Sequence, residues 1–134
     1  MSAFVDTSAL LAVLHGSDKN HPRAARTWKA LLEEDEDLVC TNYVLVETSA
    51  LLQSRFGLPA VRDLVENVSP LMRVAWVTDD LHTAALSALL TANRRLLSLV
   101  DCVSFETMRR LAITRAFAFD RHFVEQGFEL VQTR

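Results

Sequence analysis

The sequence predicts an α/β domain built on a central, mostly parallel sheet of about five strands. Two observations carry this. Short apolar runs such as Phe4-Val5, Leu38-Val39-Cys40 and Phe117-Ala118-Phe119 alternate with longer stretches of helical periodicity. No linker, low-complexity tract or repeat interrupts the 134 residues. That length fits one domain, 1–134, with a core large enough to need no disulfide.

Residues 3–6 read as a buried strand leading into a helix over about 7–15, rich in Ala and Leu. Gly16-Ser17-Asp18 breaks it. A second helix is expected over about 21–34, with Pro22 in a first turn where its missing N–H costs nothing. Residues 38–40 form a strand, and Thr41 is the expected N-cap of a helix that runs to Arg55 and stops at Gly57. Another helix starts near Pro59 and ends before Pro70. Residues 73–77 form the third strand, ended by Thr78-Asp79-Asp80, which also begin a helix to about Asn93. Asp101 opens the next helix, to about Thr114, and residues 117–119 and 128–131 supply the last two strands. In such a sheet the crossovers are right-handed and functional residues gather beyond the carboxyl ends of the strands.

At 50% hydrophobic and 23% charged, the composition is that of a soluble globular chain. No stretch approaches the roughly 18 uninterrupted apolar residues of a membrane helix. Met1-Ser2-Ala3-Phe4-Val5 enters a strand without the basic flank and apolar region of a leader. A cytoplasmic location is expected, with Cys40 and Cys102 as reduced thiols, too few and too far apart for a metal knuckle. The formal charge of −3 argues against nucleic acid on its face. Five of the 17 acids, however, lie together at Glu33-Glu34-Asp35-Glu36-Asp37; without them 14 basic residues face 12 acidic ones. Arg94, Arg95, Arg109, Arg110, Arg115 and Arg121 all fall in the C-terminal third, where they either line a phosphate-binding rim or solvate helix faces.

Four further acids sit at the ends of apolar runs or inside one: Asp6, Glu47, Asp101 and Asp120. Each has a plainer reading. Asp6 and Asp101 are N-cap candidates, the latter with Ser104 three residues on, and Asp120 is at home in a turn. Glu47 resists dismissal, because its helical neighbours Tyr43, Val44, Ala50 and Leu51 are largely apolar and no Lys or Arg lies three or four positions away. Together the four point to a cation. Like charges at ~4 Å repel by roughly 1–4 kcal/mol per pair, and a hard divalent ion turns that repulsion into binding.

Phe4-Val5-Asp6-Thr7-Ser8, Val46-Glu47-Thr48, the segment from Leu97 to Phe105 around Asp101, and Phe117-Ala118-Phe119-Asp120-Arg121-His122-Phe123 together resemble the PIN-domain ribonucleases. The chain is most similar to the VapC toxins of prokaryotic toxin–antitoxin pairs, over essentially its whole length. The resemblance implies a three-layer α/β/α PIN-like fold and a Mg²⁺- or Mn²⁺-dependent endoribonuclease acting on RNA. It implies that Asp6, Glu47, Asp101 and Asp120 hold the metal as the catalytic set, with Thr7 and Ser8 orienting the metal or Asp6 through their hydroxyls. Arg94, Arg95 and Arg121 are candidates to bind RNA. The implied partners are an RNA substrate, a small antitoxin and a second copy of the chain in a homodimer; no membrane is implied.

His15, His21, His82 and His122 show no zinc spacing; His122, two residues after Asp120, reads as a local turn contact, a substrate contact or a proton carrier. Cys102 reads as packing, Trp28, Tyr43 and Trp76 as core or interface residues, and Asp79-Asp80 as helix capping. A haloacid-type phosphatase wants a second Asp where Ser8 stands, and a phosphate-receiving signalling domain wants a late lysine, whereas the last is Lys29. A catalytically silent PIN-like binding module would be expected to have lost an acid, and none of the four is lost.

Overall fold

The computed structural model describes residues 1–131. Five strands, β1 (Ser2–Val5), β2 (Asp37–Thr41), β3 (Arg73–Ala75), β4 (Arg115–Phe117) and β5 (Glu129–Leu130), form one sheet in the order β3-β2-β1-β4-β5. Every pairing is parallel. The helices among the described residues are α1 (Thr7–Leu14), α2 (His21–Glu33), α3 (Asn42–Phe56), α4 (Leu58–Asp63), α5 (Asp79–Ala92), α6 (Leu99–Arg110) and α7 (His122–Glu125). They sandwich the sheet in a three-layer α/β/α domain. A parallel sheet covered on both faces reads as continuous apolar runs, and Ala3, Phe4 and Val5 are accordingly all inaccessible. Phe4, Phe105, Phe123 and Phe128 pack as a ring cluster between β1, α6 and α7, with Phe105 and Phe123 meeting edge to face at 5.0 Å.

The chain lays β1, β2 and β3 down in one direction and then crosses back to β4 on the other side of β1. The topological switch point therefore falls at the carboxyl ends of β1 and β4, where α/β folds place their crevice. Asp6 leaves β1 there, and Asp120 follows β4 by three residues.

The departures from the sequence expectations have local causes. The fourth strand lies at Arg115–Phe117 rather than at residues 117–119, because the Phe119 N–H goes to the Ser8 hydroxyl at 2.9 Å instead of to a neighbouring strand. The third strand stops at Ala75 because the Val77 N–H donates to the Asn42 side chain at 2.8 Å. The helix expected from Pro59 is regular only through Asp63. Pro70 has no N–H to continue a ladder, and the segment widens into a π turn at Leu64–Val68, closed by Ser69 donating to the Leu64 carbonyl, before a tight turn at Ser69–Leu71. Gly57, at φ 86°, ends α3 in a conformation that a side chain would strain.

The opposite edge of the sheet is pinned by charge. Glu36, its side chain 7% exposed, accepts from Arg115 at 2.9 Å across the bottom of the sheet, and the chain's amino terminus lies 3.6 Å from its other oxygen. Removing Arg115 leaves the buried Glu36 charge with only the amino terminus to compensate it. Arg115→Met is expected to cost roughly 3 kcal/mol in urea unfolding at pH 7; an unchanged midpoint contradicts a structural role for the pair.

Candidate metal centre

Asp6 is the N-cap of α1, and its carboxylate is held by one oxygen. Oδ2 accepts both the Ser8 N–H, at 3.1 Å, and the Ser8 hydroxyl, at 2.7 Å. The same hydroxyl accepts from the Phe119 N–H, so the exits of β1 and β4 share one oxygen atom. The two expected hydroxyls divide their work: Ser8 orients Asp6, while the Thr7 hydroxyl, buried, accepts from Thr48 on α3 at 3.3 Å.

Asp101 does not open its helix. Ser98 is the N-cap of α6 and accepts from the Asp101 N–H at 3.0 Å, while Asp101 Oδ2 reaches back to the Ser98 N–H at 3.1 Å. This reciprocal capping box replaces the expected pairing with Ser104, and its Ser-x-x-Asp spacing stood in the sequence. Asp120 Oδ1 accepts the His122 N–H at 2.9 Å, the local turn contact expected of that pair. Each of the three aspartates thus commits one oxygen to a backbone donor. Its second oxygen receives no hydrogen bond from a described residue.

The three charges meet. Burial pushes the Asp6 carboxyl up to about 6 against the lowering pull of the two Ser8 hydrogen bonds, and the charges of Asp101 and Asp120 raise it further. Ligand atoms of Asp101, Asp120 and His122 all lie within 4.8 Å of one another. His122 Nδ1 stands 3.2 Å from Asp120 Oδ1 and 3.6 Å from Asp101 Oδ2, yet it is buried and forms no aligned hydrogen bond. The donor set of free carboxylate oxygens with one orphaned imidazole nitrogen suits a divalent cation, Mg²⁺ through the oxygens and Mn²⁺ through both. Sequence reasoning left His122 among three readings. Its ring joins the acids because the turn that binds its N–H to Asp120 also folds the side chain over that carboxylate.

Glu47 stands apart from this trio. It is half-buried on α3 and neither hydrogen-bonded nor ion-paired to a described residue. The buried stripe of α3 is Val44, Thr48 and Leu52, so Glu47 flanks the core-facing side and does not lie on it. Its neighbour Thr48 docks on Thr7, which brings this turn of α3 to the start of α1. The remaining candidates sort by their partners. Arg94 is held by Glu125 at 2.8 Å, whereas Arg95 and Arg121 are exposed without an ion pair among the described residues. Thr78, not Asp79 or Asp80, caps α5, and Asp80 pairs with Arg110 at 2.8 Å. Burial raises both cysteine thiols, Cys40 to about 12, which leaves them inert as nucleophiles.

The chain is similar to known proteins over almost its full length. The family described as PIN domain matches residues 3–129. The 23S rRNA-specific endonuclease VapC20 of Mycobacterium tuberculosis is 37% identical over 126 residues, which are 93% of this chain and 94% of the relative. The crystal structure of VapC20, described as a sarcin–ricin loop cleaving toxin, superposes with a TM-score of 0.88 at 35% identity, covering 98% of this chain and 100% of that one. FitAcB from Neisseria gonorrhoeae shares the fold, with a TM-score of 0.70 at 13% identity over 97% and 96% of the two chains.

The raised carboxyl of Asp6 has a consequence for stability. Between its ordinary value of 3.8 and about 6, the folded chain holds a proton that the unfolded chain has released. The contribution of Asp6 to stability without metal is therefore fullest below pH 4, falls as pH rises to 6, and stays lower above, a loss of about 3 kcal/mol by linkage. In EDTA, Asp6→Asn is expected to raise the urea midpoint at pH 7.5 and leave it nearly unchanged at pH 4. An equal effect at both pH values contradicts the buried, cation-seeking carboxyl.

Proposed function

Because the chain belongs to the PIN-domain family, we propose that it is a divalent-metal-dependent endoribonuclease, the toxin of a toxin–antitoxin pair, and that it cuts 23S rRNA in the sarcin–ricin loop. The observation that carries the reading is the convergence of Asp101, Asp120 and His122 on one space beside the buried Asp6. The full-length likeness to VapC20 supports the substrate.

A bound Mg²⁺ or Mn²⁺ supplies positive charge against the developing phosphoryl oxyanion and acidifies water. The protein's own part is placement. Ser8 holds the carboxylate of Asp6, the Ser98 N–H that of Asp101 and the His122 N–H that of Asp120, and each keeps one oxygen with no hydrogen bond from a described residue. His122 adds a nitrogen that favours Mn²⁺ over Mg²⁺. Glu47 belongs to the set by family resemblance; what supports it is that its neighbour Thr48 docks on Thr7 at the start of α1. The acids are gathered at the switch-point crevice, open to a chain laid across the carboxyl edge of the sheet.

A small antitoxin that covers this crevice and a homodimeric assembly complete the proposal. Among the described residues no helix is long and apolar enough to cross a membrane.

Primer extension on purified ribosomes tests the reading. With Mg²⁺ or Mn²⁺, a single new 5′ end within the sarcin–ricin loop is expected, abolished by EDTA. Asp101→Asn should lose roughly 100-fold or more, beyond the ~10–100-fold usual for an outer partner of a metal ligand. Intact 23S rRNA after prolonged incubation with Mn²⁺, or wild-type cutting by Asp101→Asn, rejects the assignment. His122→Gln should weaken Mn²⁺ binding by calorimetry more than Mg²⁺ binding; equal losses remove His122 from the ligand set.

A further inference from the structure

On the β5 side of the acidic cluster lies a cavity of about 290 Å³, lined by Arg23, Phe119, Arg121, Leu130 and Val131 among others. Its walls come from three places: the first two turns of α2, the segment leaving β4, and the end of β5. Asp120 lies between two of its lining residues, and the Phe119 N–H is bound to the hydroxyl that also holds Asp6. The cavity and the acidic cluster are therefore built on one segment and share one hydrogen-bond relay.

Its chemistry is opposite to that of the cluster. The Arg23 guanidinium carbon sits 5.1 Å above the Phe119 ring. Neither Arg23 nor Arg121 forms an ion pair with a described residue, whereas Arg73, Arg94, Arg110 and Arg115 all do. An RNA strand entering a site of three aspartates is repelled through its phosphates, and something beside the site must hold it. A guanidinium layered on an aromatic ring is a surface on which a nucleobase stacks, and a second free arginine provides a bidentate phosphate donor.

We propose that this cavity is a nucleotide subsite, which holds the RNA residue next to the scissile phosphate: its base over Arg23 and Phe119, its phosphate between Arg23 and Arg121. The assignment rests on the ribonuclease reading above. Arg23 and Phe119 are then RNA-positioning residues rather than catalytic ones, and Arg121 gains a defined role. The relay through Ser8 couples the occupied subsite to the orientation of Asp6.

The test is fluorescence anisotropy of a fluorescein-labelled stem–loop RNA carrying the sarcin–ricin loop, measured in EDTA so that metal does not contribute. Arg23→Gln and Arg121→Gln should each weaken binding by about tenfold to a hundredfold, the worth of a charge-assisted hydrogen bond. The double variant should flatten the log–log salt dependence by about 0.7 for each phosphate no longer neutralised. Arg23→Lys should recover the salt slope without the full affinity, since the ammonium keeps charge and loses the plane. Manganese affinity by calorimetry should be unchanged in Arg23→Gln. A double variant that binds and cuts this RNA like the wild type overturns the subsite and leaves the ribonuclease reading standing. A wild-type chain that neither binds nor cuts it overturns both. Binding of oligoglutamate that depends on the two arginines, with RNA binding independent of them, gives the cavity to an acidic protein partner and also overturns the proposal.

Discussion

One hydroxyl ties this structure together. Ser8 Oγ donates to Asp6 and accepts from the Phe119 N–H, and in doing so it sets where β4 ends, which way Asp6 points and where the loop carrying Asp120, Arg121 and His122 begins. Without it the Phe119 N–H would be a part-buried donor in search of a strand partner, and leaving a desolvated donor unpaired costs more than the modest net value of a typical hydrogen bond. Beyond the last backbone bond between them, Asp6 N–H to the Phe117 carbonyl at 3.0 Å, β1 and β4 are thus joined by a side chain.

The acids share a second economy. Asp6, Asp101 and Asp120 all use local backbone donors that any helix start or turn would provide, an N-cap, a capping box and an Asx turn. These motifs stabilise the fold and leave one oxygen of each carboxylate free. Capping and metal binding are therefore compatible readings of these residues, because each cap leaves one carboxylate oxygen without a hydrogen bond from a described residue. The energetic burden falls on Asp6, whose carboxyl rises to about 6 because burial and two neighbouring charges oppose its ionisation.

Much of this was legible in the sequence. The alternation of apolar runs and helices pointed to the parallel sheet, and Thr41 and Gly57 bounded α3 as their chemistry requires. The family resemblance carried the four acids, and three of them converge. What stayed hidden depended on atoms distant in the chain. The end of β4 is set by a residue 111 positions away, the end of β3 by Asn42, and the loosened segment after Asp63 by how Pro70 is accommodated. Glu47 was read as core-facing from its neighbours, yet periodicity locates a stripe only to within one residue, and the buried stripe passes through Thr48. His122 and the Arg23–Phe119 pair could not be ranked from spacing, because their partners come from other elements.

In the proposed function, separate elements bring carboxylate oxygens and one imidazole nitrogen to a single cation. Anomalous diffraction from a crystal grown with Mn²⁺ addresses it most directly. One peak at the carboxyl ends of β1 and β4, within bonding distance of Asp101, Asp120 and His122 Nδ1, is expected. Saturating Mn²⁺ with no peak there, or a peak bound only by acids elsewhere on the surface, contradicts it.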